Sequence, residues 1–473
     1  MIKLVICTML AISIALYILL TLLIGYWASR RIKTSLDFTL AGRKLSYWFV
    51  GVTIFATWFG PELVMGMPAL FAKDGIQGII TDQFGTLLCL VLVARFYTKK
   101  MYRMNIVTIN DFFRNRYSPG IETFTSIVNL VVYTSWIAAQ FLALALIFNS
   151  LFGLTIFWGI VLGAAIVVVY TYLGGMWAVS YTDLIQSIFI IIGLSLLLVD
   201  MLKKSGPLTE MVAAKPKDFL DFLPKPNLLS WIDYMAMWLT FGIGVIASQE
   251  IYQRALSAKS EKHAVRGVYL SGILLFVVGV VPILLGLIGG HLHPELLEIN
   301  EGQNLIPEIV RLYSSEPMKI LFFGALISAI LSTSSGAMLA PATIIGENII
   351  KPRMKNITDK QLLYYTRFAV IMVAILAAIM AMSSSNIHEL VIMSSVFIMI
   401  CLFAPFTFGL FWKKASIFGA WMSLISGAVS FLICTYLETT IEPFMIATSI
   451  SVICVVLFSY LKPDNSWEVF LKG

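Results

Sequence analysis

Charge is what this chain has least of. Of its 473 residues only 12% are Asp, Glu, Lys or Arg, about half the roughly 25% usual for soluble domains. A water-soluble protein of this length could not cover its surface with so few charges. The formal charge of +7 sits mostly in short loops between apolar blocks, so it reads as a topology signal and not as a nucleic-acid patch. Histidine and cysteine are scarce as well. His263, His291, His293 and His388 show no zinc spacing, and Cys7, Cys89, Cys401, Cys434 and Cys454 lie in apolar segments without a CxxC pair. A disulfide framework, a structural metal and a cofactor are therefore not expected. No cluster of His, Cys and carboxylate at catalytic spacing falls in the apolar segments, which argues against an enzyme. The first apolar block is too long for a secretory leader and is followed by Arg30 and Arg31, not by a cleavage site. Beyond about residue 461 only a short tail remains, so no signalling module is expected, and 1–473 is read as a single transmembrane domain. No oligomeric state is read from the sequence.

What is there is apolar residue in long runs, 59% of the chain. A run of about 18–20 such residues crosses a hydrocarbon core of about 30 Å. Thirteen candidate spans follow: about 4–28, 45–70, 77–97, 122–149, 155–173, 181–201, 230–255, 266–290, 317–347, 362–383, 386–412, 416–436 and 442–461. The expected fold is all-α, a polytopic membrane protein of about thirteen transmembrane helices. Basic residues concentrate in the loops 28–44, 98–121, 254–266 and 348–361, which the positive-inside rule places in the cytoplasm. Loops 202–229 and 291–316 are then external, with the N-terminus outside and the C-terminus inside. Loop 202–229 resists the rule, because it holds Lys203, Lys204, Lys215, Lys217 and Lys225.

Two spans carry breaks that a lipid-facing helix would avoid. The second contains Gly60–Pro61 and the seventh contains Gly242 and Gly244. Proline removes a backbone donor, and open backbone at membrane depth persists only where protein or water satisfies it. Each break therefore suggests a cavity. Spans two and seven are the first members of two five-helix units, and units of odd length in series insert in opposite orientations. That is the five-plus-five inverted-repeat plan of many secondary transporters. Carbonyls near Ala56 and Phe59, the carbonyl of Ala329, and the hydroxyls of Ser332 and Thr333 on the same helical face would make an uncharged all-oxygen site. Such ligands suit a hard monovalent cation. On spacing alone, packing of Ser and Thr between helices is the commoner explanation of the hydroxyls.

These residues resemble the sodium:solute symporter family. The resemblance runs from about residue 5 to 460 and rests on TYLGGMWAVSYTDLIQS at 171–187, EIYQRALSAKS at 250–260, STSSG at 332–336 and ATW at 56–58. It implies a LeuT-like fold, alternating-access symport of a small organic solute with sodium as the coupling ion, and residence in the inner (plasma) membrane. It implies that sodium is held by Ala56, Phe59, Ala329, Ser332 and Thr333, and that Asp183 of the YTD motif serves sodium passage; helix capping is the other reading of Asp183. Where proline-type members carry an acidic residue this chain has Trp58, and ATW resembles the choline transporter branch. Trp58 and Trp136 match two aromatics of the cation–π box of that branch, while Thr86 and Ser248 stand at two others, and the proline before Gln249 is absent. Glu62 follows the first break, and an ionisable group at that depth is a functional candidate. Gln249 is the remaining expected solute ligand, whereas Glu250 reads as facing water or Arg254. Amino acid, organic cation and small carboxylate all stay open as solute, as does proton in place of sodium coupling. A membrane solute sensor working through a separate signalling partner is the alternative function.

Overall fold

The computed structural model describes residues 2–384, 386–467 and 470; the side chains of residues 2–11, 14, 300 and 388, which include Cys7 and His388, lie outside the described set. Among the described residues the elements are all helical, with no strand. In chain order they are α1 (Ile2–Ser29), α2 (Tyr47–Trp58), α3 (Glu62–Asp74), α4 (Gln77–Arg103), α5 (Pro119–Phe152), α6 (Ile156–Ser205), α7 (Leu228–Gly242) and α8 (Gln249–Leu256). They continue as α9 (Glu261–Leu292), α10 (Glu316–Arg353), α11 (Asp359–Met382), α12 (Glu389–Phe411), α13 (Ile417–Tyr436) and α14 (Pro443–Leu461). Short amphipathic helices, such as Ile109–Arg116, join some of them.

Nine helices among the described residues are long and apolar enough to cross a bilayer, or ten if the bent pair α2–α3 is one span. Three features separate this count from the thirteen expected spans. The 50 residues of α6 would extend about 75 Å if straight, far more than a hydrocarbon core of about 30 Å. Gly175, at φ 46°, divides that run close to the expected boundary between spans five and six. Only glycine takes such a φ without strain. The seventh expected span is two short limbs, α7 and α8, separated by residues 243–248. The apolar stretch of α1 that meets the same test is short, Ala15–Ser29.

Burial ranks the helices. The apolar window of α10 is 83% buried and that of α14 only 28%, so α10 runs through the centre and α14 along the edge. α10 packs on α5 and α6, α9 on α2 and α3, and α13 pairs with α14. Lipid-facing stripes show helical spacing: Ile273 and Val277 on α9, one turn apart, are 58% and 61% exposed.

Hydrogen bonds sort the loops onto two faces. On one, Arg43 donates to the Ile106 carbonyl (2.8 Å), Tyr102 to the Ala258 carbonyl (2.9 Å), Ser35 to Asp359 (2.6 Å), and Arg103 pairs with Glu261 (2.7 Å). On the other, Lys215 donates to the Ala72 carbonyl (2.7 Å), Gln77 to the Leu223 carbonyl (3.0 Å), Lys204 to the Tyr313 carbonyl (2.9 Å), and Asn386 to Glu301 (3.3 Å). The lysine-bearing loop 202–229 lies on this second face, away from the basic loops. Its charge is partly answered locally by Asp218–Lys225 (3.4 Å) and by Asp200–Lys204 (2.7 Å) at the end of α6.

Candidate functional site

Pro61 has no N–H, so the Thr57 carbonyl lacks its helical donor and α2 cannot run on into α3. The two helices meet at 61° across Phe59–Gly60. The last backbone contact of α2 is the Phe59 amide donating to the Phe55 carbonyl (2.8 Å). Beyond it the carbonyls of Ala56 and its neighbours end a helix with no following turn. At the other break α7 ends at Gly242 and α8 resumes at Gln249 after Ser248.

The first break lies against α10. A Cβ added to Gly336 would sit 2.6 Å from Thr57 Oγ1 and closer still to the Arg254 guanidinium. Ala56, Phe59, Ala329, Ser332 and Thr333 are all 0% exposed. Ser332 donates its hydroxyl hydrogen to Asp183 Oδ1 at 2.6 Å, which leaves its lone pairs free to accept or coordinate. The hydroxyls of Thr57 and Thr333 and Asp183 Oδ2 are buried with no hydrogen-bond partner. An unmet buried hydroxyl costs about 1–3 kcal/mol, so the unpartnered Thr57 at the break and Thr333 on the facing α10 call for a reason beyond helix packing. Capping does not explain Asp183, because the helix continues on both sides of it, two turns past Gly175.

Gly336→Ala should therefore drive the two helices apart. Overpacking of this kind costs about 1–3 kcal/mol. A lower melting temperature together with weaker sodium stabilisation is the expected result; retention of both would show that α10 does not close on the break.

Between the two breaks lies a cavity of ≈ 530 Å³. Trp58, Glu62 and Trp136, expected as solute ligands, line it, and so do Thr86 and Ser248, the two positions where the aromatic box is incomplete. Gln249 does not. Its Oε1 accepts from the Ile109 amide at 2.7 Å, and the residue is fully buried away from the cavity. One step along a helix turns a side chain by about 100°, and it is Glu250 that reaches the cavity, 3% exposed. Of the two expected surroundings of Glu250, water is thus excluded, while Arg254 stays within electrostatic range of its carboxylate. Glu250 Oε1 accepts from Trp58 Nε1 at 3.2 Å, and Oε2 accepts from the Tyr133 hydroxyl. Arg254 donates instead to the Glu250 backbone carbonyl at 2.9 Å. The sequence did hold a signal for Glu250: each break is followed within two residues by a glutamate, Glu62 after Gly60–Pro61 and Glu250 after Ser248.

The cavity walls otherwise come from α4, α5, α7 and α12. Asp82, 6% exposed, adds a third carboxylate, and among the described residues no lysine or arginine lines the space. Such a lining suits a solute with a positive group flanked by apolar carbon.

Known proteins resemble this chain in sequence and in fold. Human high affinity choline transporter 1 is 27% identical over 440 residues, covering 88% of this chain and 75% of that protein. The sodium/proline symporter of Escherichia coli (strain K12) is 26% identical over 444 residues, covering 90% and 88%. Among solved structures, a Na+-coupled sialic acid symporter in a substrate-bound outward-open state superimposes with a TM-score of 0.82 at 18% identity, covering 96% of this chain and 98% of that one. Mhp1, a nucleobase-cation-symport-1 family transporter, gives 0.58 at 16% identity, covering 92% and 98%. These two likenesses show the fold, which is LeuT-like. The model of the sodium:solute symporter family matches residues 38–427. With the broken helices and the central cavity, that match makes the chain a multi-pass membrane member of the sodium:solute symporter family, a sodium-coupled symporter and not an enzyme.

Proposed function

We propose that the chain imports a small organic solute by alternating access, with one sodium held at the α2–α3 break by the carbonyls of Ala56, Phe59 and Ala329 and the hydroxyls of Ser332 and Thr333. The observation that carries this reading is the apposition of the terminated α2, with its partnerless Thr57 hydroxyl, to α10, which carries the partnerless Thr333 hydroxyl. Sodium there would tie α2 to α10 and so settle the wall of the solute cavity that holds Trp58 and Glu62. Asp183, bonded to Ser332, lies beside this site and is placed to receive the ion on its way out. The face carrying the basic loops is cytoplasmic, the N-terminus is outside, and the membrane is the inner (plasma) membrane. Loops 28–44, 98–121, 254–266 and 348–361 of the single domain are then cytoplasmic, and 202–229 and 291–316 external.

The solute is an organic cation, or an amino acid bound chiefly through its ammonium. Glu62, Asp82 and Glu250 line the cavity, and among the described residues no lysine or arginine does, so a simple carboxylate would meet repulsion there. Sodium carries one charge down the membrane potential, worth about 2.3 kcal/mol per 100 mV. Proteoliposomes holding only this protein distinguish the transporter from a sensor. Concentrative solute uptake that collapses with the sodium gradient supports symport; binding of solute without accumulation would leave a sensor.

A further inference from the structure

Arg254 is 1% exposed, and only one nitrogen of its guanidinium is bonded. Nη1 donates to the Glu250 carbonyl, one turn earlier on α8, at 2.9 Å. Nε and Nη2 are buried without a hydrogen-bond partner, so no carboxylate is bonded to the group. Two carboxylates nevertheless stand within electrostatic range of it, those of Asp183 and Glu250. The Glu250 carboxylate already accepts from Trp58 and Tyr133. Asp183 accepts from Ser332 through Oδ1, while its Oδ2 is buried and partnerless.

These unmet groups of opposite charge gather at the first break. A methyl added to Gly336 on α10 would press on both Arg254 Nη2 and Thr57 Oγ1, and that hydroxyl also lacks a partner. A buried guanidinium and a buried carboxylate are costly when left unmet, and the fork of the one matches the edge of the other. Donors and acceptors that stay apart at such close quarters are accounted for if they meet in another state of the transport cycle. Reorientation of one long side chain is enough to join them.

Sodium would decide between the two states by its charge. Ser332 is both the donor to Asp183 and a ligand of the sodium site proposed above. An ion held there lies beside the Asp183 carboxylate and repels a guanidinium that approaches the same group. Once the ion has left, that carboxylate would stand unpaired in the membrane interior.

Resting on that sodium site, we propose that Arg254 is a tethered stand-in for sodium. It swings onto Asp183 Oδ2 and Thr57 Oγ1 when the ion departs, neutralises the carboxylate while the empty carrier returns, and is displaced by the next sodium. Arg254 is then a positioning residue, which acts through Asp183 and touches neither the solute nor the ion.

The test is a double-mutant cycle on the purified full chain. Melting temperatures of Asp183→Asn, Arg254→Gln and the double variant are read in potassium chloride and in sodium chloride of equal ionic strength, with sodium saturating for each variant. In potassium the double variant should melt no lower than the worse single variant, because each change alone breaks the same pair. In sodium the two losses should add. Arg254→Gln should also bind radioactive sodium roughly tenfold more tightly than the wild type, because its competitor is gone. Arg254→Lys keeps the charge but not the fork; it should lose more melting temperature in potassium than in sodium, and it decides the question should Arg254→Gln not fold. Coupling of equal size in both salts, unchanged sodium affinity in Arg254→Gln, or equal losses for Arg254→Lys in both salts overturns the stand-in. A sodium-specific melting shift in the wild type would in that event leave the sodium site standing. No sodium-specific shift in the wild type overturns the sodium site and the stand-in together.

Discussion

Replacing Ser332 or Thr333 with alanine is expected to weaken sodium binding by roughly ten- to a hundredfold while the protein still folds. The size follows from the bond that is lost. Hydrogen bonds and close polar contacts to a charged group contribute about 1.5–3 kcal/mol each, and every 1.4 kcal/mol is about tenfold in affinity. The two variants should differ in character. Ser332 bridges to Asp183 at 2.6 Å, so its loss also leaves that buried carboxylate without its donor. Thr333 has no hydrogen-bond partner, so its hydroxyl can be deleted without breaking a protein hydrogen bond. Thr333→Ala should therefore weaken sodium with little change in melting temperature in sodium-free buffer, whereas Ser332→Ala should shift both. Sodium titration of uptake and of thermal stability measures the two effects. Wild-type sodium dependence in Thr333→Ala would remove this hydroxyl from the site.

The second large effect is expected at Glu250. Glu250→Gln keeps the size of the side chain and a carbonyl oxygen for Trp58 or Tyr133, but removes the charge. Breaking a buried ion pair by removing one partner costs about 3–5 kcal/mol, so affinity for a cationic solute should fall more than a hundredfold. Sodium stabilisation should be largely retained in the absence of solute, because Glu250 lies in the solute cavity and is not one of the proposed sodium ligands. Solute-induced thermal shifts in the wild type and the variant test this. An unchanged shift with the preferred solute would mean that Glu250 only supports the wall by holding Trp58 and Tyr133.

Much of this arrangement was legible from residue types alone. Gly60–Pro61 dictates a broken helix whatever surrounds it, since a missing N–H and a missing Cβ are local properties. Ser332 and Thr333 stand three and four residues after Ala329, which puts them on its helical face by spacing. What spacing could not give was rotation about the second break. Gln249 and Glu250 are adjacent, and which one faces the cavity depends on how residues 243–248 set the start of α8. An amide able to bond a solute favoured Gln249, and Glu250 read as facing water or Arg254. In the fold the Ile109 amide claims Gln249, and Arg254 donates to a backbone carbonyl. The division of α6 was closer: the turn at Gly175 falls between the expected spans five and six, although the helix then passes through YTD without an end. A wider acidic space that shares Asp82 with the solute cavity escaped notice because Asp74, Asp82, Asp233, Glu301, Glu389 and Glu442 are scattered along the chain and meet only in three dimensions.

Equilibrium binding of radioactive sodium to the purified protein, beside the Ser332→Ala, Thr333→Ala double variant, tests the central claim most directly. The account predicts saturable binding of one sodium per chain that the double variant loses and that potassium does not replace. Equal sodium binding by both proteins, or none by the wild type, would contradict it.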